Sequence, residues 1–213
     1  MTSKPNAIFI CGTDTNVGKT IVSAWLALHW QADYWKPVQS GLENGGDSEI
    51  VTQLAQVRCH TEKWRLQAPL SPHQAAINEG VYIDHTTVQL PSASRLIVEG
   101  AGGLLTPLSR TTCIADLIAH LDIPVLLVAR SSLGTINHSC LTVEALRHRK
   151  LNLLGVIMVG AANLSNRQAI EHYGKTSVLA ELPFFPSLSH QTLKRYPFTT
   201  QLRDMLPAPV KDH

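Results

Sequence analysis

The chain has 213 residues, 44% of them hydrophobic, enough to bury a full core in one domain at the large end of the usual range. A net charge of +2 with 16% charged residues is too mild for a nucleic-acid or membrane-surface binder. The longest apolar runs, 123–129 and 151–159, are strand length and far short of a membrane span. Four scattered cysteines (Cys11, Cys59, Cys113, Cys140) offer neither a Cys-x-x-Cys pair nor zinc spacing, which fits reduced thiols. Residues 1–6 carry no apolar signal segment, so the expected location is cytoplasmic, and the proline-bearing tail 207–213 is expected to fray.

The first predicted element is a strand over 7–11. It runs into Gly12 to Thr20, reading Gly-Thr-Asp-Thr-Asn-Val-Gly-Lys-Thr, and a helix is predicted over 20–30. A strand entering a glycine loop that ends in Gly-Lys-Thr at a helix start is a phosphate cradle. Backbone N–H groups wrap the phosphates, Lys19 neutralises their charge and the Thr20 hydroxyl is placed for Mg²⁺. Five residues separate the two glycines, where the common form of this loop has four. An ordinary turn that happens to contain Gly-Lys-Thr is disfavoured because strand, loop and helix occur in the right order.

A second strand is predicted over 34–38, with Lys36 near its end and Ser40 just beyond. Lysine is rarely buried without a partner, so Lys36 is either a second cation for the anion site or a solvated edge residue. Asp47 opens a helix predicted over 47–55, where it either caps that helix or serves the site. Ser71-Pro72-His73-Gln74 signals the start of a helix over 72–79, and Gly80 suits its stop. The strand predicted over 95–99 ends in Glu99, followed by Gly100, Ala101 and Gly102. A carboxylate closing an apolar strand opposite a phosphate loop commonly reaches Mg²⁺.

The remaining strands are expected at 123–129, 153–159 and 177–182, with helices at 114–121, 135–149 and 166–173. Runs that are apolar at nearly every position are those of parallel strands covered on both faces. The alternation predicts a single-domain α/β fold, P-loop NTPase-like, with a mostly parallel sheet and helices on both faces. Ligands then gather at the carboxyl ends of the strands. There, Gly134 to His138 opens a helix able to receive a carboxylate, while Gly160 and Pro183-Phe184-Phe185 flank a nucleobase. The ten histidines form no metal constellation.

Taken in order, Gly-Thr-Asp-Thr-x-Val-Gly-Lys-Thr, Lys-Pro-Val-x-Ser-Gly, Ser-Pro-His, Val-Glu-Gly-Ala-Gly-Gly and Leu-Gly-x-Ile-Asn-His resemble the dethiobiotin synthetase family from Ile8 to Phe185. The five-residue gap in the phosphate loop is itself that family's pattern. The resemblance implies an enzyme that carboxylates 7,8-diaminopelargonate with CO₂ and closes a cyclic urea at the expense of ATP. It implies nucleotide contacts from Asn16, Val17, Gly18, Lys19, Thr20, Ile21, Asp47, Glu99, Gly100, Ala101, Gly102, Gly160, Pro183, Phe184 and Phe185. Thr20, Asp47 and Glu99 would hold Mg²⁺, and Lys19 and Lys36 would be the catalytic cations. Thr15 and Ser40 would touch the substrate, and Gly134, Thr135, Ile136 and Asn137 would receive its carboxylate across the interface of a homodimer.

Two positions depart from the family's usual pattern. The Asn-Asp pair that reads adenine in several members is replaced by Val159-Gly160, and a basic residue sometimes found after the fourth strand is replaced by Ser132. Two rivals share related folds. A partner-regulated ATPase switch carries an additional lysine early in the phosphate loop, where this chain has Thr13, Asp14 and Thr15. An amidotransferase synthetase needs a glutaminase Cys-His pair, for which Cys113 and Cys140 have no setting.

Overall fold

The computed structural model describes residues 6–42 and 45–206; the tail expected to fray lies outside them. Nine strands and eight helices follow one another along the described residues. They are β1 (Asn6–Gly12), α1 (Lys19–Trp30), β2 (Asp33–Trp35), β3 (Val38–Ser40), α2 (Asp47–Ala55), β4 (Cys59–His60), β5 (Trp64–Leu66), α3 (Pro72–Asn78) and β6 (Arg95–Gly103). After them come α4 (Ile114–Leu121), β7 (Val125–Arg130), α5 (Thr135–His148), β8 (Leu153–Val159), α6 (Leu164–Gly174), β9 (Val178–Leu182), α7 (His190–Lys194) and α8 (Thr200–Met205).

Seven strands form one sheet in the order β4-β2-β6-β1-β7-β8-β9, and every neighbouring pair in it is parallel. The β1 strand is central and fully buried along Ile8 to Cys11, as its unbroken apolar run requires. One sheet face is covered by α1, α2, α7 and α8 through Trp25, Leu54, Leu193 and Leu202. The other carries α3, α4, α5 and α6 through Ala75, Leu117, Leu146 and Ile170. The chain leaves β1 toward one half of the sheet and later returns to build the other half beside it. That switch point opens a crevice at the carboxyl ends of β1, β6 and β7.

Two expected strands differ in extent. The second ends at Trp35, because Pro37 has no N–H to donate to a ladder. Beyond it Val38–Ser40 pairs with Trp64–Leu66 in a separate two-stranded sheet. The third continues past Glu99 to Gly103, carrying the glycines along the crevice wall. At α3, Ser71 precedes Pro72 as expected, yet its hydroxyl meets His73 Nδ1 (3.0 Å) and Gln74 Oε1 (2.8 Å) rather than the helix backbone.

The α7 and α8 helices are absent from the sequence expectation; α7 packs on α1 and α2, α8 packs on β9, and the segment between them covers Trp25 of α1. Trp25 Nε1 donates to the Tyr196 carbonyl (2.6 Å), Trp25 meets the Phe198 ring edge-on at 4.9 Å, and Thr199 Oγ1 donates to the Leu179 carbonyl (2.6 Å).

Candidate active site

The loop between β1 and α1 wraps the mouth of the crevice. Two of its glycines are sterically required. A Cβ on Gly12 would stand 2.6 Å from the Asp14 carbonyl oxygen; at Gly18, φ is +98° and a Cβ would press on Val159 at 3.0 Å. The α1 helix starts at Lys19, so its free N–H groups face the loop interior. Lys19 Nζ donates to the Asp14 carbonyl (3.0 Å), spanning the loop where phosphates would lie. Burial presses its pKa down, against the pull of Glu99.

The second lysine is no solvated edge residue. Lys36 is 5% exposed, and its ammonium bonds Asp47 Oδ2 and, at 3.0 Å, Glu99 Oε1. Burial alone would lower its pKa, but the two carboxylates outweigh burial and raise it. Asp47 is no helix cap either: the Gly46 N–H is taken by Glu49 Oε2 (2.9 Å), and the Gln39 side chain accepts the Asp47 N–H (3.0 Å). Its carboxyl is free to face inward, where burial would raise its pKa but Lys36 and Thr20 hold it low. The buried Glu99, the half-buried Asp47 and two buried ammonium groups thus neutralise one another, which offsets the cost of removing them from water.

Glu99 is 1% exposed. Its Oε1 receives Lys36 and lies 3.2 Å from Thr20 Oγ1; its Oε2 accepts the Tyr34 hydroxyl at 3.1 Å. Burial first, then Glu99 and Asp47, pushes the Tyr34 hydroxyl well above its usual range, so it stays a donor. Thr20 Oγ1 also stands 2.7 Å from Asp47 Oδ1. One hydroxyl and two carboxylates converging in this way are hard oxygen donors. Among the described residues, no three His, Cys, Asp or Glu side chains could hold a metal by themselves. That set fits Mg²⁺, which takes its remaining ligands from phosphates and water, better than a cation that needs a full protein cage. Cys11, beside the loop, is buried and its thiol is pushed up to about 12, so it stays protonated and offers no nucleophile.

The cleft around this cluster measures about 470 Å³ and is lined by Thr15, Asn16, Gly18, Lys19, Thr20, Ile21, Lys36, Ser40, Asp47, Glu99, Ala101 and Gly102. A contiguous groove of about 240 Å³ carries Val17, Pro183, Phe184 and Phe185, sharing Asn16, Gly18 and Ile21 with the cleft. Gly160 borders this groove, where a Cβ would lie 3.4 Å from the Phe184 ring. Gly100 does not line the cleft: its Cα faces the Phe9 ring and Ile114 in the core. Gly134, Thr135, Ile136 and Asn137 line neither cavity. They start α5 beside Leu133, which is 99% exposed.

Tyr34, Gln39, Arg130 and Leu188 are among the contributors that escaped the sequence reading, as are Gly41 and Gly45 on the cleft wall. Arg130 closes β7, lines the groove and pairs with Asp14 of the loop at 2.7 Å. A sequence signal existed for Tyr34, since residues two apart on a strand point to one side and Lys36 is such a neighbour.

A family model described as an AAA domain matches residues 6–192. The chain is 50% identical over 192 residues to the ATP-dependent dethiobiotin synthetase BioD of Paramagnetospirillum magneticum, covering 89% of this chain and 94% of that protein. It is 47% identical over 197 residues to the protein of the same name from Lawsonia intracellularis, covering 92% and 97%. The septum site-determining protein MinD from Pyrococcus horikoshii, solved with Mg-ADP, superposes with a TM-score of 0.55 at 12% identity, covering 94% of this chain and 92% of that one. That last likeness is one of fold alone.

Proposed function

The chain belongs to the dethiobiotin synthetase family, and from that premise we propose how its own residues divide the work. It is an ATP-dependent ligase that makes dethiobiotin in biotin biosynthesis. In our reading the substrates are 7,8-diaminopelargonate, CO₂ and ATP. One amine carries CO₂ as a carbamate. A carbamate oxygen attacks the γ-phosphorus, the bond to ADP breaks, and a mixed anhydride forms. The second amine then attacks its carbonyl carbon, and the C–O bond breaks. Phosphate departs with that oxygen and the amine's proton, leaving the cyclic urea.

The burial of Lys36 between Asp47 and Glu99, facing the phosphate loop, carries this reading. A carbamate is anionic and must approach a polyanion, so the site needs fixed positive charge at the point of transfer. Lys19 serves the phosphates from the loop side; Lys36 serves the carbamate and the transferring phosphoryl from the strand side. Thr20, Asp47 and Glu99 hold Mg²⁺, which supplies further charge neutralisation at the phosphate oxygens when bound. Thr15 and Ser40 border the substrate end of the cleft. The nucleobase lies in the groove against Val17, Gly160, Pro183, Phe184 and Phe185.

The start of α5, which lines neither cavity, receives the substrate carboxylate in a second copy of the chain. The exposed Leu133 and Leu141 on that segment support a homodimer there. Among the described residues no helix is long and apolar enough to cross a membrane. We place the enzyme in the cytoplasm, as one domain over residues 1–213.

Phosphate release by the purified protein with MgATP tests the reading. Release is expected only when diamine and bicarbonate are both present. Release indifferent to the diamine would return the chain to the class of ATPase switches.

A further inference from the structure

The β2 strand lies beside β6 in parallel register, with Tyr34 opposite Ile97 and Trp35 opposite Val98. Side chains alternate between faces, so Tyr34 shares its face with Ile97 and Glu99 of β6, and Lys36 follows just past the end of β2. The Tyr34 side chain is wholly buried, and its hydroxyl reaches Glu99 Oε2 at 3.1 Å. The other carboxylate oxygen, Oε1, takes the Lys36 ammonium at 3.0 Å and lies 3.2 Å from Thr20 Oγ1. The two oxygens of one carboxylate therefore have separate duties: Oε2 is closed off by a phenol, and Oε1 faces the cleft.

We propose that Tyr34 is a positioning residue, whose hydroxyl fixes the rotation of the Glu99 carboxylate so that Oε1 is the oxygen presented to Thr20 and the divalent cation. This rests on the reading of Glu99 as a metal-holding group. The terminal torsion of a glutamate is broad, so the side chain's own rotamer preference does not fix the plane of the carboxylate. A buried carboxylate oxygen without a donor is costly. If the phenol is removed, the inner oxygen loses its donor and the carboxylate plane is free to rotate part-way toward Thr20 and Lys36. That rotation moves the outer oxygen off the position it shares with Thr20. Partners that orient a metal ligand without touching the metal typically influence affinity by about ten- to a hundredfold.

Tyr34→Phe keeps the ring and its packing and deletes only the donor. The readout is ATP affinity by calorimetry without diamine, once in EDTA and once in excess Mg²⁺, the ratio giving the gain due to metal. Tyr34→Phe is expected to keep the metal-free affinity and to lose about tenfold of that gain. Glu99→Gln is expected to lose the gain as well, and adding Tyr34→Phe to Glu99→Gln is expected to cost nothing more. A full metal gain in Tyr34→Phe, whether or not its melting temperature falls, would reduce the tyrosine to a structural part. A further loss in the double variant would likewise overturn the inference, because Tyr34 would then act by a route other than Glu99. A wild-type protein without any metal gain would instead defeat the metal-holding reading of Glu99, and the inference with it.

Discussion

The two ends of the nucleotide cleft are built on opposite principles. At the phosphate end, Lys36, Asp47, Glu99, Thr20 and Tyr34 form a largely buried, hydrogen-bonded cluster, with Lys19 beside it donating to the Asp14 carbonyl. At the base end, Val17, Val159, Pro183, Phe184, Phe185 and Leu188 offer apolar faces, and the Arg130 guanidinium is engaged by Asp14. Phe184 is 76% exposed. The first region has charges whose positions are held before substrate arrives, which is what stabilises charge that develops during transfer. The second has area without direction, which suits a flat ring and grips it loosely. Catalytic power and substrate grip are therefore expected to respond to mutation very unequally.

Lys36→Ala breaks the comparison at its strongest point. It removes the cation shared by Asp47 and Glu99, and ring closure is expected to slow by about a hundredfold or more while nucleotide still binds. Product formation and ATP affinity, measured side by side, check this. Near-normal turnover would take Lys36 out of the chemistry.

Phe184→Ala probes the loose end and should do far less. Stacking of a base on an aromatic ring is worth about 1–3 kcal/mol, and the lower figure applies to so exposed a ring. The KM for nucleotide is expected to rise several-fold with kcat unchanged, and to rise equally for ATP, GTP and CTP. A loss confined to ATP would show that the groove reads the base edge after all.

The same contrast explains what could be read from the chain before its structure. Charges near the ends of apolar strands, Lys36 and Glu99, announce themselves because lysine and glutamate have few reasons to be there; with Lys19 and Asp47, from two helix starts, they line one cleft. Apolar runs likewise placed β1 and β8, and helix-like stretches placed α2 and α4, within a residue or so. Tyr34 escaped because a buried aromatic reads as core, and its spacing from Lys36 hints at a shared side without showing that the hydroxyl meets Glu99 of β6. The two- and three-residue strands β4 and β5 are too short to show alternation. The short α7 and α8 are held by tertiary contacts that no local pattern encodes, such as Trp25 of α1 with Tyr196 and Phe198 of the segment joining them. Arg130 was in plain view at a strand end, but its partner Asp14 stands 116 residues away.

The central claim is that the phosphate cluster transfers phosphoryl to a carbamate oxygen rather than to water. The most direct test supplies ¹⁸O-labelled CO₂ with the diamine and MgATP and weighs the released phosphate within a single turnover, before label exchanges with solvent. The account predicts phosphate carrying one ¹⁸O, delivered when the second amine breaks the C–O bond. Unlabelled phosphate formed alongside the cyclic urea would contradict it, because the phosphoryl group would then never have reached the carbamate.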